Sequence, residues 1–76
     1  MPLNDLNDRK VNLGFYLKNL RKINKLSLEN VERTSALHGY KISTSNLSKI
    51  ESGKTFPSLP ILLLLSTIYE IGRAHV

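Results

Sequence analysis

The chain has no cysteine and no tryptophan, and only three prolines and four glycines among 76 residues. Without cysteine there is no disulfide to staple a small fold, no thiolate nucleophile and no thiolate metal ligand. His38 and His75 are the only histidines, too few for a structural zinc site of ordinary ligand count. The longest apolar run, Ile61 to Leu65, is five residues, against the roughly 18 or more that a spanning helix requires. The opening residues, Met1 to Asp5, hold no basic stretch leading into an apolar one, so no secretory signal is expected. There is no Gly-x-Ser-x-Gly turn and no glycine-rich phosphate loop, so catalysis is not expected. The absences leave one small cytoplasmic domain with no cofactor and no metal, whose thin core rests on packing alone.

Acid is scarce as well: six acidic residues face eleven basic ones, a net charge of +5 with a pI near 9.8. The excess is concentrated. Residues 9 to 54 hold ten of the basic groups against Glu29, Glu32 and Glu51, while the last third is nearly uncharged and apolar. A basic middle on so short a chain favours a polyanionic partner, nucleic acid or an anionic surface.

The periodicity predicts four helices and no strands. Residues 1 to 10 are polar and aperiodic and read as a flexible arm. From Asn12, the residues Leu13, Tyr16, Leu17, Leu20 and Ile23 recur at the spacing of one helical face, with Lys18, Lys22 and Lys25 on the other. Ser27 can cap a second helix that fades between Leu37 and Gly39, with Leu26 and Val31 spaced as a hydrophobic staple. Ser43 repeats the device for a third helix, Ile42 and Leu47 being the staple, and Gly53 suits its left-handed stop. Ser58 caps a fourth, with Pro60 tolerated in its first turn. Phe56, before Pro57, is expected to plug the core beneath the loop.

The third helix faces two ways. At about 100° per residue, Ile50 and Glu51 fall beside Leu47, while Ser45, Ser48, Lys49 and Ser52 fall on the far side. That outward face is small, hydroxyl-bearing and free of acid, with Thr44 and Asn46 flanking it at the amino end. Such a surface suits a major groove, where hydroxyls, amides and ammonium groups address base edges and phosphates. Lys41, just ahead of this helix, is a candidate phosphate contact.

Together, the capped second helix and the stretch Ile42-Ser43-x-x-x-Leu47-Ser48-x-Ile50-Glu51-x-Gly53-Lys54-x-x-Pro57-Ser58-Leu59 resemble the phage-repressor (Cro-type) helix-turn-helix family. It is also called the xenobiotic-response-element family, with the lambda-repressor-like fold. The resemblance spans about residues 11 to 71, with 72 to 76 a tail and candidate truncation point. It implies an all-α, compact four- to five-helix bundle. It further implies sequence-specific binding of double-stranded DNA as a transcriptional regulator, usually a homodimer on a two-fold operator. Thr44, Ser45 and Lys49 match the family's base-reading positions, with Asn46 a neighbour. Ser43 and Lys54 match phosphate positions, and Ser27 would present the amino end of helix 2 to another phosphate. Lys49 is the best candidate for a base contact, to guanine O6 and N7. Arg21 and Glu51 match a structural ion pair between helices 1 and 3.

The chain departs from the family between Val31 and Ile42, which is about five residues longer than its short turn, so helix 2 is extended or the loop bulges. Helix 4 is apolar over more than one stripe. A surplus face of Ile61, Leu64, Ile68 or their neighbours is expected to meet a second copy or a further carboxyl-terminal region. The competing expectation is a protein-interaction module, an antitoxin or adaptor that uses the same fold to grip a partner protein. A membrane binder ranks lower, because no single helix is both strongly basic and apolar.

Overall fold

The computed structural model describes residues 5–71, with side chains from 8 to 69. Four helices follow in order: α1 (Asp5–Ile23), α2 (Leu28–Leu37), α3 (Thr44–Glu51) and α4 (Leu59–Ile71). No strand occurs among the described residues, and the fold is all-α. Positions 1–4 and the tail 72–76 lie outside the described residues.

Three helices stop by one device. Each of α1, α2 and α3 is followed by a residue with positive φ: Lys25 at 59°, Gly39 at 90° and Gly53 at 82°. The next amide then reaches back across the last turn, Leu26 N–H donating to Arg21 O, Tyr40 to Ser35 O and Lys54 to Lys49 O. This closure supplies donors to carbonyls that the helix end leaves unpaired. The amino ends are as local. Ser27 Oγ accepts from Asn30 N–H while Asn30 Oδ1 accepts from Ser27 N–H, both at 3.0 Å. Ser43 Oγ accepts from Asn46 N–H at 3.1 Å, and Ser58 O from Leu62 N–H at 2.9 Å.

Packing places α3 between α1 and α2, with α4 against α2. The core is Leu17, Val31, Ile42, Leu47, Ile50, Ile61, Leu65, Ile68 and Tyr69, bordered by Leu13, Leu20, Leu26, Leu28, Leu62 and Leu64. Both expected staple pairs thus meet the core. Burying an aliphatic side chain of this size is worth about 1.5–3 kcal/mol, and α3, with only Leu47 and Ile50 buried, relies on its neighbours to stay folded.

Several expectations are corrected. The chain is helical from Asp5, so residues 5 to 10 belong to α1 and not to an arm. That stretch has no periodicity of its own. It packs where Val11 closes on Gly53 and where Lys10 Nζ lies 5.7 Å from the centre of the Phe56 ring. Phe56 is accordingly exposed against α1 and does not plug the core. On α1, Tyr16 and Ile23 share the apolar spacing yet stay exposed, Tyr16 at the edge of an open cleft that it shares with Leu62, Ser66 and Tyr69 of α4. On α4, Ile61 and Ile68 are buried and Leu64 half-buried, so the exposed apolar residues are Leu59 and Leu63 instead.

The long connection is resolved by one buried hydroxyl. α2 continues to Leu37, and residues 38 to 43 complete the link, so helix extension and added loop share the extra length. Ser35, fully buried, donates to Glu32 O at 2.7 Å and accepts from Ile42 N–H at 2.8 Å. Ser35→Ala is expected to lower stability by about 1–3 kcal/mol by leaving the Ile42 amide buried without an acceptor. Urea unfolding followed by circular dichroism checks it; an unchanged midpoint would show that water reaches that amide.

Candidate nucleic-acid interface

The face of α3 turned away from the core carries Ser45, Ser48, Lys49 and Ser52, all exposed, with Thr44 and Asn46 half-buried at its amino end. Two backbone and side-chain links shape its carboxyl end. Ser52 Oγ donates to Lys49 O at 3.1 Å, and the Lys54 amide donates to the same carbonyl at 3.0 Å. Lys54 is thereby held one turn from Lys49, and both ammonium stems are exposed.

The other expected contacts divide. Ser27 and Ser43 sit exposed at the amino ends of α2 and α3. Each uses its oxygen to accept the cap bond, leaving its proton to donate outward. Lys41 lies 3.5 Å from Glu32, an exposed ion pair of little strength, so its charge is partly countered.

Arg21 and Glu51 meet in the two-pronged geometry that guanidinium and carboxylate favour. Arg21 Nε donates to Glu51 Oε2 at 2.7 Å and Nη2 to Oε1 at 3.0 Å. Nη1 donates to Leu26 O at 2.9 Å, a link no spacing announces. One side chain therefore fixes α3 to α1 and also the loop leading into α2. The Glu51 hydrogen bond holds the guanidinium pKa above its ordinary value, against the opposing effect of burial. Glu51 is the only acid on α3, and with both oxygens engaged it adds little negative potential to the outward face.

Tyr69 lies near this pair. Its hydroxyl is buried and has no hydrogen bond among the described residues. Burial first, then the Glu51 carboxylate, raise its pKa to about 12, with Arg21 pulling the other way. A folded-state pKa above the unfolded one means stability that is full below pH 10 and lost as pH rises towards about 12. Tyr69→Phe is expected to be more stable than the parent by about 1 kcal/mol, since it removes an unpaired buried group. The gap should widen between pH 10 and 12 in thermal melts. A less stable variant would show that the hydroxyl has a partner after all.

Neither family models, nor curated proteins, nor solved structures yield a match to this chain. The functional case therefore rests on its own residues. Among the described residues no three His, Cys, Asp or Glu side chains gather to hold a metal, and no helix is long and apolar enough to cross a membrane. Sequence reasoning assigned no role at the site to Gly14, Lys18, Ser35 and Tyr69. Gly14 lies directly beneath the Ile50 and Glu51 carbonyls. Lys18, placed on the solvent side by its spacing, is half-buried at a cleft beside α3.

Proposed function

We propose that this chain is a sequence-specific, double-stranded-DNA-binding domain of a bacterial or phage transcriptional regulator. The observation that carries the proposal is the outward face of α3. It is exposed, hydroxyl-bearing and acid-free, and its only carboxylate is turned inward and paired with Arg21. In this role α3 lies in the major groove with Thr44, Ser45, Asn46 and Lys49 towards base edges. Ser27, Ser43, Lys41 and Lys54 address phosphates, and the protein acts in the cytoplasm, where its DNA is. A homodimer on a two-fold operator would pair through α4, where Leu59 and Leu63 are exposed and no charged residue occurs from Leu59 to Tyr69.

Selection from a random duplex library, followed by footprinting, tests this directly, and a two-fold motif is the expected product. Lys49→Ala is expected to relax preference at one base position, a loss of about 1–3 kcal/mol on the selected site only. Lys54→Ala should weaken selected and unrelated duplexes alike and reduce the salt slope by about one. Equal losses for both variants on every duplex would refute this division of roles.

The exposed Leu59 and Leu63, with Tyr16 and Ile23 on α1, favour a second possibility, a module that grips a partner protein. Co-purification of a tight heteromeric partner, with no retardation of any duplex at low salt, would decide for it.

A further inference from the structure

We infer that Lys18 of α1 seats a backbone phosphate of the bound duplex in the cleft it shares with Ser48 and Ser52 of α3. This deepens the DNA-binding proposal and rests on it. The cleft has a volume of about 200 Å³ and is lined by Lys18, Arg21, Leu28, Ser48, Glu51 and Ser52. At roughly 30 Å³ per liquid water, it has room for a phosphate and part of its hydration.

Charge selects the occupant. Two of the three ionised groups cancel: both Glu51 oxygens are bound by Arg21, at 2.7 and 3.0 Å. The remaining ammonium, on Lys18, has no carboxylate partner among the described residues, and Lys18 as a residue is half-buried. Its stem is thus laid along the protein while its charge stays open to an anion. The hydroxyls fit the same ligand. The Ser48 hydroxyl makes no hydrogen bond among the described residues and is free to donate, whereas Ser52 gives its hydroxyl proton to Lys49 O. Ser48 therefore supplies the donor beside the ammonium.

Position ties the cleft to the groove-reading face. Ser48 precedes Lys49, and about 100° of helix separates them. When Lys49 meets a base edge, the strand bordering that groove passes on the side of Ser48 and Ser52, where α1 stands. Lys18 then grips that strand from α1, apart from Lys49 on α3 and Lys54 in the loop that follows it. A duplex held from both α1 and α3 cannot pivot about the recognition helix, so the seat orients α3 without reading sequence.

The test compares variants of the full chain by fluorescence anisotropy on the selected duplex and on an unrelated 20-base-pair duplex, from about 50 to 300 mM salt. Lys18→Ala is expected to weaken both duplexes about fivefold at 0.1 M salt and to lower the salt slope by about 0.9. Lys18→Arg should retain binding. Ser48→Asp, which sets a negative charge at the mouth of the cleft, should weaken both at least as much as Lys18→Ala. Arg33→Ala removes the same charge from the exposed side of α2 and is expected to leave the slope unchanged. Melting curves confirm that each variant is folded. If Lys18→Ala matches Arg33→Ala while Lys49→Ala and Lys54→Ala still lose affinity, the seat is refuted and DNA binding stands. If the parent chain binds no duplex at any salt, both fall together. A loss confined to the selected duplex would also overturn the seat, by showing that Lys18 reads a base.

Discussion

Gly14→Ala should lower stability by about 3 kcal/mol, at the upper end of what overpacking costs in a well-packed core. For a domain of this size that is a fall in melting temperature of roughly 12–24 °C. In an isolated helix the same change stabilises by about 1 kcal/mol, so even the sign is informative. A Cβ at position 14 would collide with Ile50 O and stand 2.7 Å from Glu51 O. Both are backbone atoms and cannot turn aside as a side chain can. α1 must lift from α3, or α3 must shift at the end that carries Lys49, Ser52 and Gly53. Thermal denaturation followed at 222 nm measures the loss. Asn12→Ala, an exposed change two residues earlier, is the control, expected within about 0.5 kcal/mol of the parent. A Gly14→Ala protein as stable as the parent would show that α1 and α3 do not approach this closely.

Arg21→Ala is expected to cost about 3–5 kcal/mol. The Glu51 side chain is 8% exposed, and without its partner it is a carboxylate stranded out of water. The same substitution removes the donor to Leu26 O, releasing the loop into α2. Replacing both partners, Arg21→Met with Glu51→Leu, should recover most of the loss, because a buried ion pair and an apolar pair of similar volume are often close in stability. Arg21→Lys should fall between, since an ammonium cannot make both parallel bonds. Urea unfolding midpoints for the four proteins check the order. If the single and double variants lost equal stability, the pair would matter for its packing and not for its charge. If the chain acts as proposed, loss of this brace should also weaken duplex binding, since Arg21 and Glu51 fix α3 to α1.

How far such features were legible depended on whether their cause is local. The caps at Ser27 and Ser43 and the stop at Gly53 are set within four or five residues of chain, and each stands where its spacing indicated. The exposed face of α3 was equally legible, because its small hydroxyl residues contrast with Leu47 and Ile50. α4 offers no such contrast. With nearly every position apolar, the wheel could not say which side was covered, and in the fold Ile61 and Ile68 are buried while Leu59 and Leu63 stay exposed. Tyr16 and Ile23 are the converse case: correct spacing, yet both exposed in the fold. Lys18 lay on the polar side of its own helix, and only the nearness of Ser48 turns that position into the edge of a cleft.

The order of the helices, their caps and the acid-free basic middle follow from the amino acids alone, since hydrogen bonds to adjacent backbone and helical periodicity act over a few residues. Contact between distant segments was decided by the folded arrangement. Gly14 reads as a weak point in a helix until the carbonyls of α3 are laid across it. Ser35 falls on the same face of α2 as Leu28 and Val31, but the Ile42 amide that its hydroxyl receives is supplied only by the fold. Tyr69 reads as one more apolar position until its hydroxyl is found buried beside Glu51. Close approach of backbones and burial of single polar groups depend on where another part of the chain lies, and no periodicity along one helix contains that information.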